Sequence, residues 1–66
     1  MIVFKVNDMT CGHCASTITR AVKDVDQDAE VRVNIGAHLV EIEPKTSNAE
    51  ALRAAIAEAG YTPVAV

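Results

Sequence analysis

Ile2, Phe4 and Val6 alternate with Val3 and Lys5, the period-two pattern of a strand that buries one face, over Ile2–Val6. Asn7-Asp8 then opens a loop. From about Cys14 the period lengthens. Cys14, Ile18, Ala21, Val22 and Val25 fall on one side of a helix, with Thr17, Thr19, Arg20, Lys23 and Asp24 on the other. Asp26-Gln27-Asp28 carries no apolar residue and ends that helix. Val31, Val33 and Ile35 alternate with Arg32 and Asn34 as a second strand, and Gly36 suits the tight turn that follows. Val40 and Ile42 alternate with Glu41 and Glu43 as a third strand, antiparallel to the second and stopped by Pro44.

Ser47-Asn48-Ala49-Glu50 reads as a capping box, with Ser47 as N-cap and Glu50 reaching back to it. The helix it starts is expected to bury Ala49, Leu52, Ala55, Ile56 and Ala59, and Gly60 falls where a left-handed residue closes a helix. Thr62 to Val66 makes a last short strand, which Pro63 places at a sheet edge because it has no ladder donor. The order β-α-β-β-α-β predicts an α+β, ferredoxin-like sandwich: a four-stranded antiparallel sheet with both helices on one face and the other face open. The expectation is a single domain over residues 1–66.

Length and composition narrow what this frame can do. A chain of 66 residues supports one small, marginally stable core. The two cysteines cannot staple it, since a bridge across three positions closes too short a loop to restrict the unfolded chain. Nine acidic residues against six basic give a net charge of −3. With no basic run and only two aromatic residues, nucleic acid is not an expected partner. No apolar stretch approaches the roughly 20 residues needed to span a membrane, so no direct membrane insertion is expected. The amino terminus lacks the pattern of a signal peptide, and a free thiol pair fits a reducing compartment, which makes the cytoplasm the expected location.

Chemistry concentrates in Met9-Thr10-Cys11-Gly12-His13-Cys14. On the predicted frame Cys11 lies in the loop after the first strand and Cys14 in the first turn of the first helix. Unpaired amides at a helix start favour a thiolate there. Gly12 is expected to let the loop bend back and bring both sulfurs onto one exposed ion. Soft thiolates select soft ions such as Cu(I), and two ligands suit a near-linear complex, whereas structural zinc normally takes four. Such a site stays open to a third ligand from outside, which permits hand-over by stepwise thiolate exchange. Cys-Gly-His-Cys is also the redox motif of thioredoxin-like disulfide isomerases. Against that reading stand the short chain, the element order, Thr10 where those enzymes usually carry Trp, and the lack of a suitable proline.

Met9-Thr10-Cys11-x-x-Cys14 after a first strand, Gly60-Tyr61 after the second helix and the six-element order together resemble the heavy-metal-associated domain, over essentially the whole chain. Within it the chain looks most like small bacterial copper chaperones, and it is similar to the N-terminal metal-binding domains of copper-transporting P-type ATPases. The resemblance implies Cu(I) held by Cys11 and Cys14, with Ag(I) as a mimic, and transfer to a copper-transporting P-type ATPase or another copper protein of the same fold. Relatives selective for zinc or cadmium often carry an acidic residue before the first cysteine. Thr10 stands there, which disfavours Zn(II), and Hg(II) is disfavoured because its periplasmic carriers are made with a signal peptide. A metal-bridged homodimer through the exposed sites is a further expectation. The start one residue before the first strand and the end just as the last one finishes suit a free-standing protein, although a domain of a larger ATPase has the same outline.

The remaining polar and sulfur-bearing residues divide between site and scaffold. Met9 is expected to pack beneath the loop rather than to offer its thioether. His13 is expected to be exposed and solvated, with a role as third ligand left open. Tyr61 is expected near the cysteine loop, where the resemblance supports a supporting contact with the site. Asp24, Asp26, Asp28 and Glu30 read as a solvated acidic surface, and His38 as a turn residue distant from the cysteines.

Overall fold

The computed structural model describes all residues, Met1–Val66. Its elements run β1 (Ile2–Val6), α1 (Gly12–Val25), β2 (Glu30–Asn34), β3 (Leu39–Glu43), α2 (Ala49–Glu58) and β4 (Pro63–Ala65). The four strands form one antiparallel sheet in the order β2-β3-β1-β4. The fold is the expected α+β, ferredoxin-like sandwich with two helices over one sheet face.

Register explains why the alternation was legible. Phe4 lies opposite Val40 and Ile2 opposite Ile42, while Val31 and Val33 face Ile42 and Val40 from the other side. These residues share one face of the pleat, and Ile18, Val22, Leu52 and Ile56 of the two helices close over it. On the open face Arg32 stands opposite Glu41, and Lys5 lies between Leu39 and Val64. Pro63 opposes Val6 from β4, an edge strand, as its missing donor requires. Gly60 adopts φ 101 just past α2, where a Cβ would be strained.

Several details differ from expectation. Helix α1 begins at Gly12, two residues before the predicted start, and Val25 at its end is 44% exposed rather than buried. Ala49, expected inside, is exposed at the start of α2. Asn48 caps α2, its side-chain oxygen accepting from the Ala51 amide at 2.9 Å. Glu50 instead pairs with Arg53 on the surface.

Ser47 is unavailable as a cap because it serves Asp26. That residue, read as part of a solvated acidic surface, is 1% exposed and is the one buried charged side chain. Its carboxylate accepts from the amides of Lys45, Thr46 and Ser47 at 2.8, 3.0 and 3.1 Å, and from the hydroxyls of Thr46 and Ser47 at 3.2 and 2.7 Å. Five donors replace the lost water, so burial without a cationic partner is tolerated. The Thr46 amide foremost, with the Ser47 hydroxyl and the other amides, holds the Asp26 carboxyl far below its ordinary value. The contact ties the end of α1 to the β3–α2 connection.

Candidate metal centre

Strand order decides what surrounds the cysteines. Because β1 lies between β3 and β4, the end of β1 meets the β2–β3 turn on one side and the α2–β4 loop on the other. The loop from Asn7 to Cys11 sits at that junction. Met9 is fully buried in the core, so the loop is nailed down just before the cysteines, as expected for a packing residue. The Asp8 carboxylate accepts from the Thr62 amide at 3.2 Å and the Thr62 hydroxyl at 3.3 Å, fastening the loop to the segment that carries Tyr61.

Cys11 takes an extended conformation at the N-cap of α1, and its side chain makes no capping hydrogen bond. The first turn contains no acidic residue. The helix therefore directs free amides and the positive end of its dipole toward the sulfurs. Cys11 is exposed, and Cys14 is half-buried against the core. Their Sγ atoms lie 3.5 Å apart as free thiols. With metal–thiolate bonds of about 2.3 Å, the value for zinc, a linear dithiolate spans about 4.6 Å, so a rotation that parts the sulfurs by about 1 Å admits one ion. Gly12 has an ordinary backbone conformation and open space where a Cβ would stand. The expectation that the loop needs glycine to bend back is not met: the extended Cys11 makes the bend.

The surroundings of Cys14 favour its thiolate. The Tyr61 hydroxyl, the Thr10 amide and the Cys11 side chain, in that order, lower its pKa from 9.0 to about 7 against a smaller opposing effect of desolvation. Tyr61 makes no hydrogen bond of good geometry to the neutral thiol, so its effect is that of a donor facing developing charge. The same contact raises the pKa of Tyr61 itself, with burial adding to it. Tyr61 is half-buried and packs on the core, so it both covers the core edge and borders the site.

His13 is exposed on the first turn of α1, where its carbonyl accepts from the Thr17 hydroxyl at 3.0 Å. No group of three or more His, Cys, Asp or Glu side chains converges anywhere in the chain. His38, expected to be distant, is close: its Nδ1 lies 3.1 Å from the Met9 carbonyl oxygen. Pairing of β3 with β1 was the signal that could have revealed this, since it sets the β2–β3 turn beside residues 6–9. No helix is long and apolar enough to cross a membrane.

Comparison with known proteins gives the same picture. A gold-binding protein of known structure is 36% identical, with all of both chains covered and a TM-score of 0.93. The copper chaperone Atx1 of Synechocystis, in a trimeric variant form, is 36% identical over 97% of this chain and all of its own, with a TM-score of 0.92. The N-terminal domain of PacS from Synechocystis is 27% identical over 98% of this chain and 94% of its own, with a TM-score of 0.84. No curated protein sequence matches significantly. The model of the heavy-metal-associated domain matches residues 3–62, which takes in the cysteine loop, both helices, β2, β3 and Tyr61, so the chain belongs to the heavy-metal-associated domain family.

Proposed function

We propose that this protein is a cytosolic metallochaperone, a single heavy-metal-associated unit that binds Cu(I) through Cys11 and Cys14 and passes it on by thiolate exchange. The observation that carries the reading is the pair of free thiols 3.5 Å apart at a helix start, one of them exposed. Family membership and the named likeness to a copper chaperone support copper as cargo. The gold-binding neighbour supports a broader preference for soft, thiophilic ions, with Ag(I) as a mimic of the cargo. Two thiolates without further protein ligands disfavour Zn(II) as a resident ion.

Transfer needs no redox step. A partner thiolate adds to the bound ion from the exposed Cys11 side, forming a new copper–sulfur bond. One bond to this protein then breaks, the partner's second thiol gives its proton to the freed thiolate and bonds the ion in its place, and the second bond to this protein breaks as the ion leaves with the partner. Tyr61 and the Thr10 amide favour Cys14 as a thiolate at neutral pH, while Cys11 is the exposed sulfur that a partner can reach. The likeness to the PacS N-terminal domain supports a second reading, in which the same grip works as the metal-binding domain of a copper-transporting ATPase. That ATPase, or another copper protein of this fold, is the partner class in the first reading.

The test is transfer itself. Anaerobic Cu(I)-loaded protein mixed with a metal-free, heavy-metal-associated acceptor should share copper rapidly, without free copper appearing in a chelator trap. Transfer only by way of the trapped, dissociated ion would refute the exchange mechanism. Turnover of insulin disulfides would instead favour the redox reading.

A further inference from the structure

His38 is the one non-glycine residue in the left-handed region, at φ 59, a conformation disfavoured for any residue with a Cβ. Its turn is well built around that outlier. The His38 amide donates to the Ile35 carbonyl at 3.1 Å, and the Ala37 amide donates to the Asn34 side chain at 3.1 Å. The His38 carbonyl accepts from the Val6 amide at 2.8 Å, binding the turn to the end of β1. Gly36, the residue the sequence offers for a turn, does not take the left-handed position.

This backbone aims the imidazole at the cysteine loop. The Met9 carbonyl can only accept, so the Nδ1 atom at 3.1 Å carries the hydrogen and donates. The Met9 carbonyl and the Thr10 amide are the two ends of one planar trans peptide and point in opposite directions. Holding the oxygen therefore fixes the plane of the peptide that leads directly into Cys11, the first residue of the dithiol pair. The other attachments of the loop act elsewhere. The Met9 amide donates to the Val6 carbonyl at 3.2 Å, and Asp8 binds Thr62.

We propose that His38 is a positioning residue for the dithiol: its Nδ1–H pins the Met9 carbonyl and so fixes the Met9–Thr10 peptide from which Cys11 hangs, setting the loop before metal arrives. The proposal deepens the functional reading above and rests on it for the role of Cys14 as a ligand. It also accounts for a histidine in a strained place. Glycine would relax the backbone but break the link. Asparagine tolerates the left-handed region and offers a donor near the position of Nδ1.

His38→Gly and His38→Asn, compared with the parent protein, test this in the reduced, metal-free state and with Cu(I). In His38→Gly the melting temperature should not fall. The Thr10 amide proton should move upfield as the carbonyl of its own peptide loses its partner, and its exchange with solvent should quicken about fivefold as the loop is freed by the weight of one ordinary hydrogen bond. Cu(I) affinity, measured against a chelator, should drop by a similar factor, and His38→Asn should restore both. An unchanged Thr10 amide in His38→Gly, no recovery in His38→Asn, or a large loss of melting temperature in His38→Gly would each overturn the proposal. The amide readout needs no metal. Failure of the parent protein to bind Cu(I) would sink the functional reading and leave this test standing.

Discussion

Tyr61→Phe isolates the influence that most lowers the pKa of Cys14. A pKa of about 7 leaves half of Cys14 as thiolate at pH 7, against about 1% for a thiol at the ordinary 9.0. That is a gain of about 50-fold in the reactive form. A thiolate two units less basic is also about eightfold less nucleophilic, at a Brønsted slope of 0.4–0.5. The net prediction is that Cys14 alkylates about sixfold faster than an ordinary thiol at pH 7, with its rate levelling off above about pH 7. In Tyr61→Phe the midpoint should move up toward 9.0 and the advantage at pH 7 should shrink. Iodoacetamide labelling across pH 6–10, with fragment-ion mass spectrometry to separate Cys14 from Cys11, reads both. The sign carries over to metal and fold. Protons compete with Cu(I) at Cys14 only below about pH 7 in the parent protein, and up to a higher pH in the variant. A stabilising contribution from the depressed pKa is fully present above about pH 9 and lost as pH falls through about 7. A midpoint of about 7 in both proteins would show that the backbone amides suffice and that Tyr61 is only a cover for the core edge.

Three further outcomes follow from the packing. Asp26→Asn exchanges two accepting oxygens for one oxygen and an amide that faces donors, so it should lower the urea midpoint at neutral pH. Because the carboxyl of Asp26 titrates well below 3.8, the parent should lose this advantage as pH falls below about 4 while the variant changes little; parallel acid denaturation curves would refute the clasp. Met9→Ala should cost about 2–5 kcal/mol and at least about 8 °C of melting temperature. Met9→Leu, which keeps the volume, should retain Cu(I) as well as the parent, and a loss there would make the thioether a ligand. Asn48→Ala should destabilise the fold by about 1 kcal/mol in chemical denaturation, whereas Glu50→Gln should stay within about 0.5 kcal/mol. The reverse order would restore the capping box.

The frame and the dithiol were legible in the sequence because each depends on local periodicity. Ile2–Val6 alternates cleanly and is the strand found, and the switch to helical spacing after the loop put Cys14 in the first turn of α1. What stayed hidden depends on contacts across the chain. Nothing local marks Asp26 as buried, since its donors lie 19 to 21 residues further on. Once it claims Ser47, the cap passes to Asn48 and Ala49 is left exposed. Val25 fits the apolar stripe by spacing but falls where the helix runs past its cover. His38 looked distant because its separation from Met9 is 29 residues, and only the β3–β1 pairing closes that gap. Gly12 misled in the other direction, since glycine at a bend suggests conformational need and the helix there has none.

The proposed function requires that Cys11 and Cys14 together hold one Cu(I) ion. Anaerobic titration of the reduced protein against a Cu(I) chelator, run beside Cys11→Ser and Cys14→Ser, tests it most directly. One equivalent should bind per chain, with each serine variant losing well over the roughly 100-fold that removal of an outer-shell partner costs. Retention of the parent affinity in either variant would contradict it.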